Sequence, residues 1–326
     1  MDDPILNALN AQQKEAVTSD KKHLLVFAGP GTGKTRVITH RIAYMIGQHG
    51  VDPESILAIT FTNKAAAEMK YRLERLLTQG ALAKPWVGTF HSFANWLLHR
   101  HWSDAKLPKD FVIYDMDDQK SLLREILNER ELPPNRAGVF LEAIQRLKDD
   151  LMDSHSYAIH AGVSTNPYRD SIAKVYAAYQ TALRQRGALD FGDLMLEAVN
   201  LLRDVPEVAT KYQERFTNLF VDEYQDINKA QYSFIRAMVA PATYLTAVAD
   251  DDQCIYEWRQ ANPRYTLDFT KEFPGAGTIT LTQNYRSTPE IIAPAARLIE
   301  KNENRQKKEL LATRPQGTPP RIVACD

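Results

Sequence analysis

The chain has 326 residues, of which 44% are hydrophobic and 25% charged. This is ordinary globular composition, long enough for about two compact domains, and it excludes a disordered polymer or a fibrous repeat. Forty Lys and Arg stand against 41 Asp and Glu, a formal net charge of -1, so any nucleic-acid-binding face has to be local.

The only cysteines, Cys254 and Cys325, are far apart and lack metal-type spacing. That excludes a disulfide framework and a Cys-rich zinc site and points to a reducing compartment. The start, Met1-Asp2-Asp3-Pro4, is not a basic region leading into an apolar stretch, and no run of about eighteen apolar residues occurs. A cytoplasmic protein with no membrane partner is expected.

Leu24-Leu25-Val26-Phe27 reads as a strand, Ala28 to Thr35 as a glycine-rich turn, and Val37, Ile38, Ile42 and Met45 as one face of a helix. Residues 56–59 form a second apolar strand, after which Ala65, Met69, Leu73 and Leu76 recur at helical spacing. From about residue 90 to 202 the texture turns to helical periodicity, as in 119–129 and 172–183, with a loop at 162–167. Strand patterns return at 219–221, 244–248 and 278–281. Strands alternating with helices predict an α/β fold with a parallel sheet, carrying a mostly helical insertion. The charged tail 301–308 reads as a solvated helix end or linker.

Three segments carry chemistry. In Ala28-Gly29-Pro30-Gly31-Thr32-Gly33-Lys34-Thr35, glycines let backbone N–H groups point at phosphates, Lys34 supplies charge to the terminal ones and Thr35 suits a magnesium ion. Ala28 stands where the usual pattern has glycine. The second segment, Leu219-Phe220-Val221-Asp222-Glu223-Tyr224-Gln225-Asp226, is an apolar strand ending in two carboxylates. Beside a phosphate loop, Asp222 suits the metal and Glu223 the water that attacks the terminal phosphate. Third, Asp250-Asp251-Asp252-Gln253 runs on to Tyr256, Trp258 and Arg259, joining an amide able to reach a phosphate to aromatic faces able to stack on bases.

These motifs, in this order, resemble the UvrD, Rep and PcrA type of superfamily 1 DNA helicases, over residues 9 to about 292. The resemblance implies a RecA-like P-loop NTPase lobe in two parts, residues 1–89 and 203–280. A helical subdomain over 90–202 would separate them, and a second motor lobe would begin at 281–326. It implies ATP and Mg2+ as cofactors, with Gln13 reading adenine and Gly29, Gly31, Thr32, Gly33, Lys34, Thr35 and Arg36 around the nucleotide. Asp222 becomes the metal ligand, Glu223 the catalytic base and Gln253 the phosphate sensor. Within Asn284-Tyr285-Arg286-Ser287, Tyr285 would stack on adenine and Arg286 would face the terminal phosphate.

For single-stranded DNA and duplex junctions, the resemblance implies contacts by Phe61, Asn63, Lys64 and His91, with Tyr256, Trp258 and Arg259 as a base-stacking track. Ala249, Cys254 and Gln260 depart from the family's glycine, serine and glycine, and Glu257 brings negative charge to that track. Family members continue past this length into the rest of a second lobe. The expectation is an ATP-driven 3' to 5' motor on single-stranded DNA, represented by an N-terminal portion unable to unwind alone. A nucleotide-gated DNA-binding module without motor activity, and a helicase subunit of a helicase–nuclease complex, are the alternatives.

Overall fold

The computed structural model describes residues 4–77, 83–162, 166–254, 260–302 and 305–321. The chain divides into two compact units, one of Met1–Thr89, Gln213–Ile227 and Val239–Asp326, the other of Phe90–Tyr212 and Asn228–Met238.

The first unit opens with two short helices, α1 (Pro4–Asn7) and α2 (Ala11–Thr18). Then come β1 (His23–Ala28), α3 (Lys34–His49), β2 (Ile56–Thr60), α4 (Asn63–Leu76) and β3 (Trp86–Thr89). β1 and β2 are apolar almost throughout because both faces are covered. Val37, Ile38 and Ile42 of α3 and Ala66, Met69 and Leu73 of α4 pack with Leu24, Val26 and Ala58 of the strands in one core. Buried Arg41 ties α2 to this layer: one guanidinium nitrogen, Nη1, donates to the carbonyls of Ala16, Val17 and Ser19 at 2.9–3.1 Å. β3 is a strand that the apolar pattern does not announce, since its four residues include Trp86 at the start and a glycine.

The second unit is built on α5 (Phe90–Arg100), α6 (Met116–Glu129), α7 (Ala137–Asp149), α8 (Ser154–Gly162), α9 (Pro167–Gln185) and α10 (Phe191–Asp204). A two-residue parallel pair, β4 (Val112–Ile113) with β5 (Ala188–Leu189), accompanies them. Leu122, Leu123 and Ile126 of α6, Phe140 and Ile144 of α7, and Tyr176 and Tyr179 of α9 share its core. The loop expected at 162–167 is shorter at both ends, with Gly162 closing α8 and Pro167 opening α9. α11 (Pro206–Arg215) crosses the boundary between the units at Tyr212, and α12 (Lys229–Met238) belongs to this one.

In the first unit the chain resumes with β6 (Asn218–Val221), β7 (Tyr244–Ala249), the four-residue helices α13 (Arg264–Leu267) and α14 (Phe269–Glu272), and β8 (Gly277–Leu281). It ends with β9 (Gln283–Asn284), α15 (Pro289–Ile299) and β10 (Leu311–Ala312). The large sheet runs β3-β2-β6-β7-β1-β8 with every neighbouring pair parallel. The α/β expectation with a parallel RecA-like sheet is therefore correct. Phe27 pairs with Ala249 and Val221 with Ala247, so the carboxyl ends of β1, β6 and β7 lie side by side. Ligands bind at that edge in parallel α/β sheets.

Candidate nucleotide site

The turn after β1 is shaped by glycine. Gly31 and Gly33 sit at φ 71° and 94°, and a Cβ on Gly31 would come within 2.6 Å of the Arg286 Cβ. Gly33 then caps α3 without any side-chain hydrogen bond. The first-turn N–H groups therefore have no side-chain cap, the arrangement that holds a phosphate. Thr32 is fully buried, its hydroxyl donating to the Gly29 carbonyl at 2.7 Å.

A cavity of about 340 Å³ opens on this turn, lined by Gly31, Gly33, Lys34, Thr35 and Arg36 from one side and by Glu223, Gln253, Tyr285 and Arg286 from others. In its wall the Lys34 ammonium lies 3.2 Å from a Glu223 carboxylate oxygen. Glu223 adopts φ 51°, ψ 46°, the left-handed region that a glutamate enters at a cost and that recurs at functional positions. Arg72 of α4 also lines the cavity. Nothing in its local sequence marks it, because only tertiary packing brings it here.

Behind the cavity, Asp222 is buried. Desolvation first, then the charge of Glu223, push its carboxyl up to about 7, against the pull of Lys34 and a hydrogen bond from Thr35. A carboxylate and a hydroxyl side by side, the former short of counter-charge, are hard oxygen donors that fit a magnesium ion. Asp226 is likewise raised to about 6 by burial and then Glu223. Buried Gln225 bridges these acids: its amide Nε2 donates to Glu223 at 2.9 Å and to Asp226 at 3.0 Å, and its Oε1 accepts the Asp250 N–H at 2.9 Å. The sequence singles out the segment but gives Gln225 no role.

Gln13 lies beneath the turn rather than on the cavity wall. Its Nε2 donates to the Thr32 carbonyl at 2.9 Å and its Oε1 accepts the Asn10 N–H at 3.2 Å. Tyr285 is exposed and linked to the same end of α2, accepting from Asn10 Nδ2 at 2.7 Å and donating to Gln283 at 2.7 Å. Asn284 Nδ2 donates to the Pro30 carbonyl at 2.5 Å, and its Oδ1 accepts the Arg286 N–H at 2.9 Å, which seats Arg286 over the turn.

A family model described as UvrD/REP helicase N-terminal domain matches residues 9–274. The chain belongs to that family. It is 43% identical over 322 residues to DNA helicase II of Escherichia coli K12, covering 97% of this chain and 43% of that protein. It is 42% identical to DNA helicase II of Salmonella typhimurium, with the same coverage. To the ATP-dependent DNA helicase PcrA of Leuconostoc citreum it is 40% identical over 315 residues, 96% of this chain and 42% of that one. The chain thus spans less than half the length of these relatives.

In this UvrD/REP helicase N-terminal domain, Phe61, Asn63 and Lys64 lie where β2 gives way to α4, with Asn63 and Lys64 exposed and Thr62 capping the helix by accepting the Ala65 N–H at 3.1 Å. His91 belongs to the other unit. Burial lowers its pKa, and its ring meets Phe191 edge-on at 6.0 Å. Tyr256, Glu257, Trp258 and Arg259 lie outside the described residues. Gln260 adopts φ 62°, a conformation suited to the glycine expected there from the resemblance. Among the described residues no helix is long and apolar enough to cross a membrane.

Proposed function

We propose that this chain binds and hydrolyses ATP as the N-terminal part of a DNA helicase that moves 3' to 5' along single-stranded DNA. The observation that carries the reading is the Lys34 and Glu223 ion pair in the wall of the cavity at the uncapped start of α3. The relatives' names support ATP and DNA as ligands; the direction is carried over from the resemblance alone.

Backbone N–H groups of residues 31–35 cradle the phosphates while Lys34 leaves Glu223 for the terminal ones. That exchange frees the Glu223 carboxylate to take a proton from the attacking water. Arg286, with Arg72 beside it, offsets charge developing on the transferred group, and Gln253 contacts its oxygens. Thr35 and Asp222 hold magnesium, which when bound neutralises phosphate charge. Tyr285 offers its exposed face to the adenine, with Arg36 beside it; for Gln13 to read the base, its amide has to give up the Thr32 carbonyl and the Asn10 N–H. Phe61, Asn63 and Lys64 meet the DNA strand on the same unit, with Tyr256, Trp258 and Arg259 as further contacts and residues 281–326 opening a second lobe; on the other unit, His91 is a separate candidate DNA contact.

The test is Glu223→Gln in the whole protein, assayed for ATP hydrolysis with and without single-stranded DNA. Hydrolysis should fall at least about 100-fold with nucleotide affinity kept. Undiminished hydrolysis would remove Glu223 from the role of base.

A further inference from the structure

Within the tail expected to be solvated, Lys301, Asn302, Gln306 and Lys307 are exposed, but Arg305 and Lys308 turn inward. Lys308 is almost fully buried, its ammonium 2.9 Å from Asp250, 2.6 Å from Asp251 and 2.6 Å from Asp252. Arg305 grips Asp252 with two hydrogen bonds of 2.7 Å, and the Gln306 N–H donates to Asp251 at 2.6 Å. Just beyond, Leu310 lies against Gly29, where an added Cβ would come within 2.7 Å of it, and β10 pairs with β9. Residues 305–312 thus run from the acidic trio at the end of β7 to the phosphate turn. Burial alone would lower the Lys308 pKa, but the charge of Asp250 and the hydrogen bonds its ammonium donates to all three acids raise it. The ammonium is therefore a fixed charge.

Asp250 is the shared member. One of its oxygens faces Lys308 and the other accepts the Gln253 side-chain amide, while its N–H reaches Glu223 through Gln225. Gln253 lines the cavity. Its amide has two N–H donors, and turning it fully toward a phosphate weakens the bond that Asp250, a fully buried carboxylate, accepts from it. Stripping a hydrogen bond from a buried charge is costly unless another cation remains on it.

We propose that Lys308 is a positioning residue for the terminal phosphate: by holding Asp250 it releases the Gln253 amide toward that phosphate, and so lets the chain distinguish a nucleoside triphosphate from a diphosphate. This rests on the cavity being the nucleotide site. Without Lys308, Asp250 keeps Gln253 and adds uncompensated negative charge beside the phosphates.

Calorimetric titration of the chain with Mg2+ and either a nonhydrolysable ATP analogue or ADP tests this. The wild-type chain should bind the triphosphate analogue more tightly. Lys308→Met should weaken the analogue about tenfold and ADP less than about twofold, and Lys308→Arg should restore much of the difference. Equal losses for both nucleotides, or none, would overturn the role of Lys308. If Lys308→Met does not fold, the double variant Lys308→Met, Asp250→Asn carries the test. With no charge left at position 250, it should keep the wild-type preference, and loss of that preference overturns the proposal. A Lys34→Ala arm separates the two ideas: unchanged affinity for both nucleotides there would defeat the site assignment itself, and the proposal with it.

Discussion

Glu223 holds a backbone conformation that costs free energy, faces Lys34 at 3.2 Å and raises the pKa of Asp222 behind it. Strain and like charge at one spot are tolerated where ligand binding relieves them. Asp222 gives this a pH signature. Its folded pKa, about 7, lies above the ordinary aspartate value of 3.8, so the native state holds the proton more tightly than the unfolded chain does. Stability from this group is complete at acid pH and is lost as pH rises from about 4 through about 7. Asp222→Asn, which does not titrate, should therefore gain melting temperature relative to wild type across that window without nucleotide. A difference in melting temperature that stays flat from pH 4 to 8 would contradict the shift. The pairing of acids was legible from two carboxylates after an apolar strand; the left-handed φ and the Gln225 bridge were not, because both depend on where β7 lies.

At the scale of elements, the helical unit is pinned by a buried ion triad. Lys148 of α7 is fully buried, 2.7 Å from Asp190 and 2.8 Å from Asp193, which form the capping box of α10. Tyr179 donates to Asp190 at 3.0 Å and Gln180 to Asp193 at 2.9 Å. Removing one partner of such a set strands buried charge, so Lys148→Met should cost roughly 3–5 kcal/mol in urea unfolding. The triple variant with Asp190→Asn and Asp193→Asn should recover most of it. A loss under about 1 kcal/mol for Lys148→Met would contradict this account. Helical periodicity located α6 and α9, but Lys148 reads in sequence as one more surface lysine. The same blindness applied to Lys308: a basic run looks solvated until the fold supplies its acids. β3 was missed for another reason, since four residues are too few to show a pattern.

For the whole molecule, the cavity is assembled from residues near positions 30, 72, 223, 253 and 286, separations that local spacing cannot connect. Order along the chain stood in for geometry, and the parallel sheet supplies the physical reason: each β strand delivers its following loop to the same edge. The claim on which the rest depends is that a triphosphate occupies that edge with Lys34 drawn off Glu223. A crystal structure of the chain with a nonhydrolysable ATP analogue and Mg2+ tests it directly. The terminal phosphate should lie within hydrogen-bond distance of the Lys34 ammonium, with the Lys34 and Glu223 contact opened. A nucleotide bound elsewhere, with that contact unchanged, would contradict it.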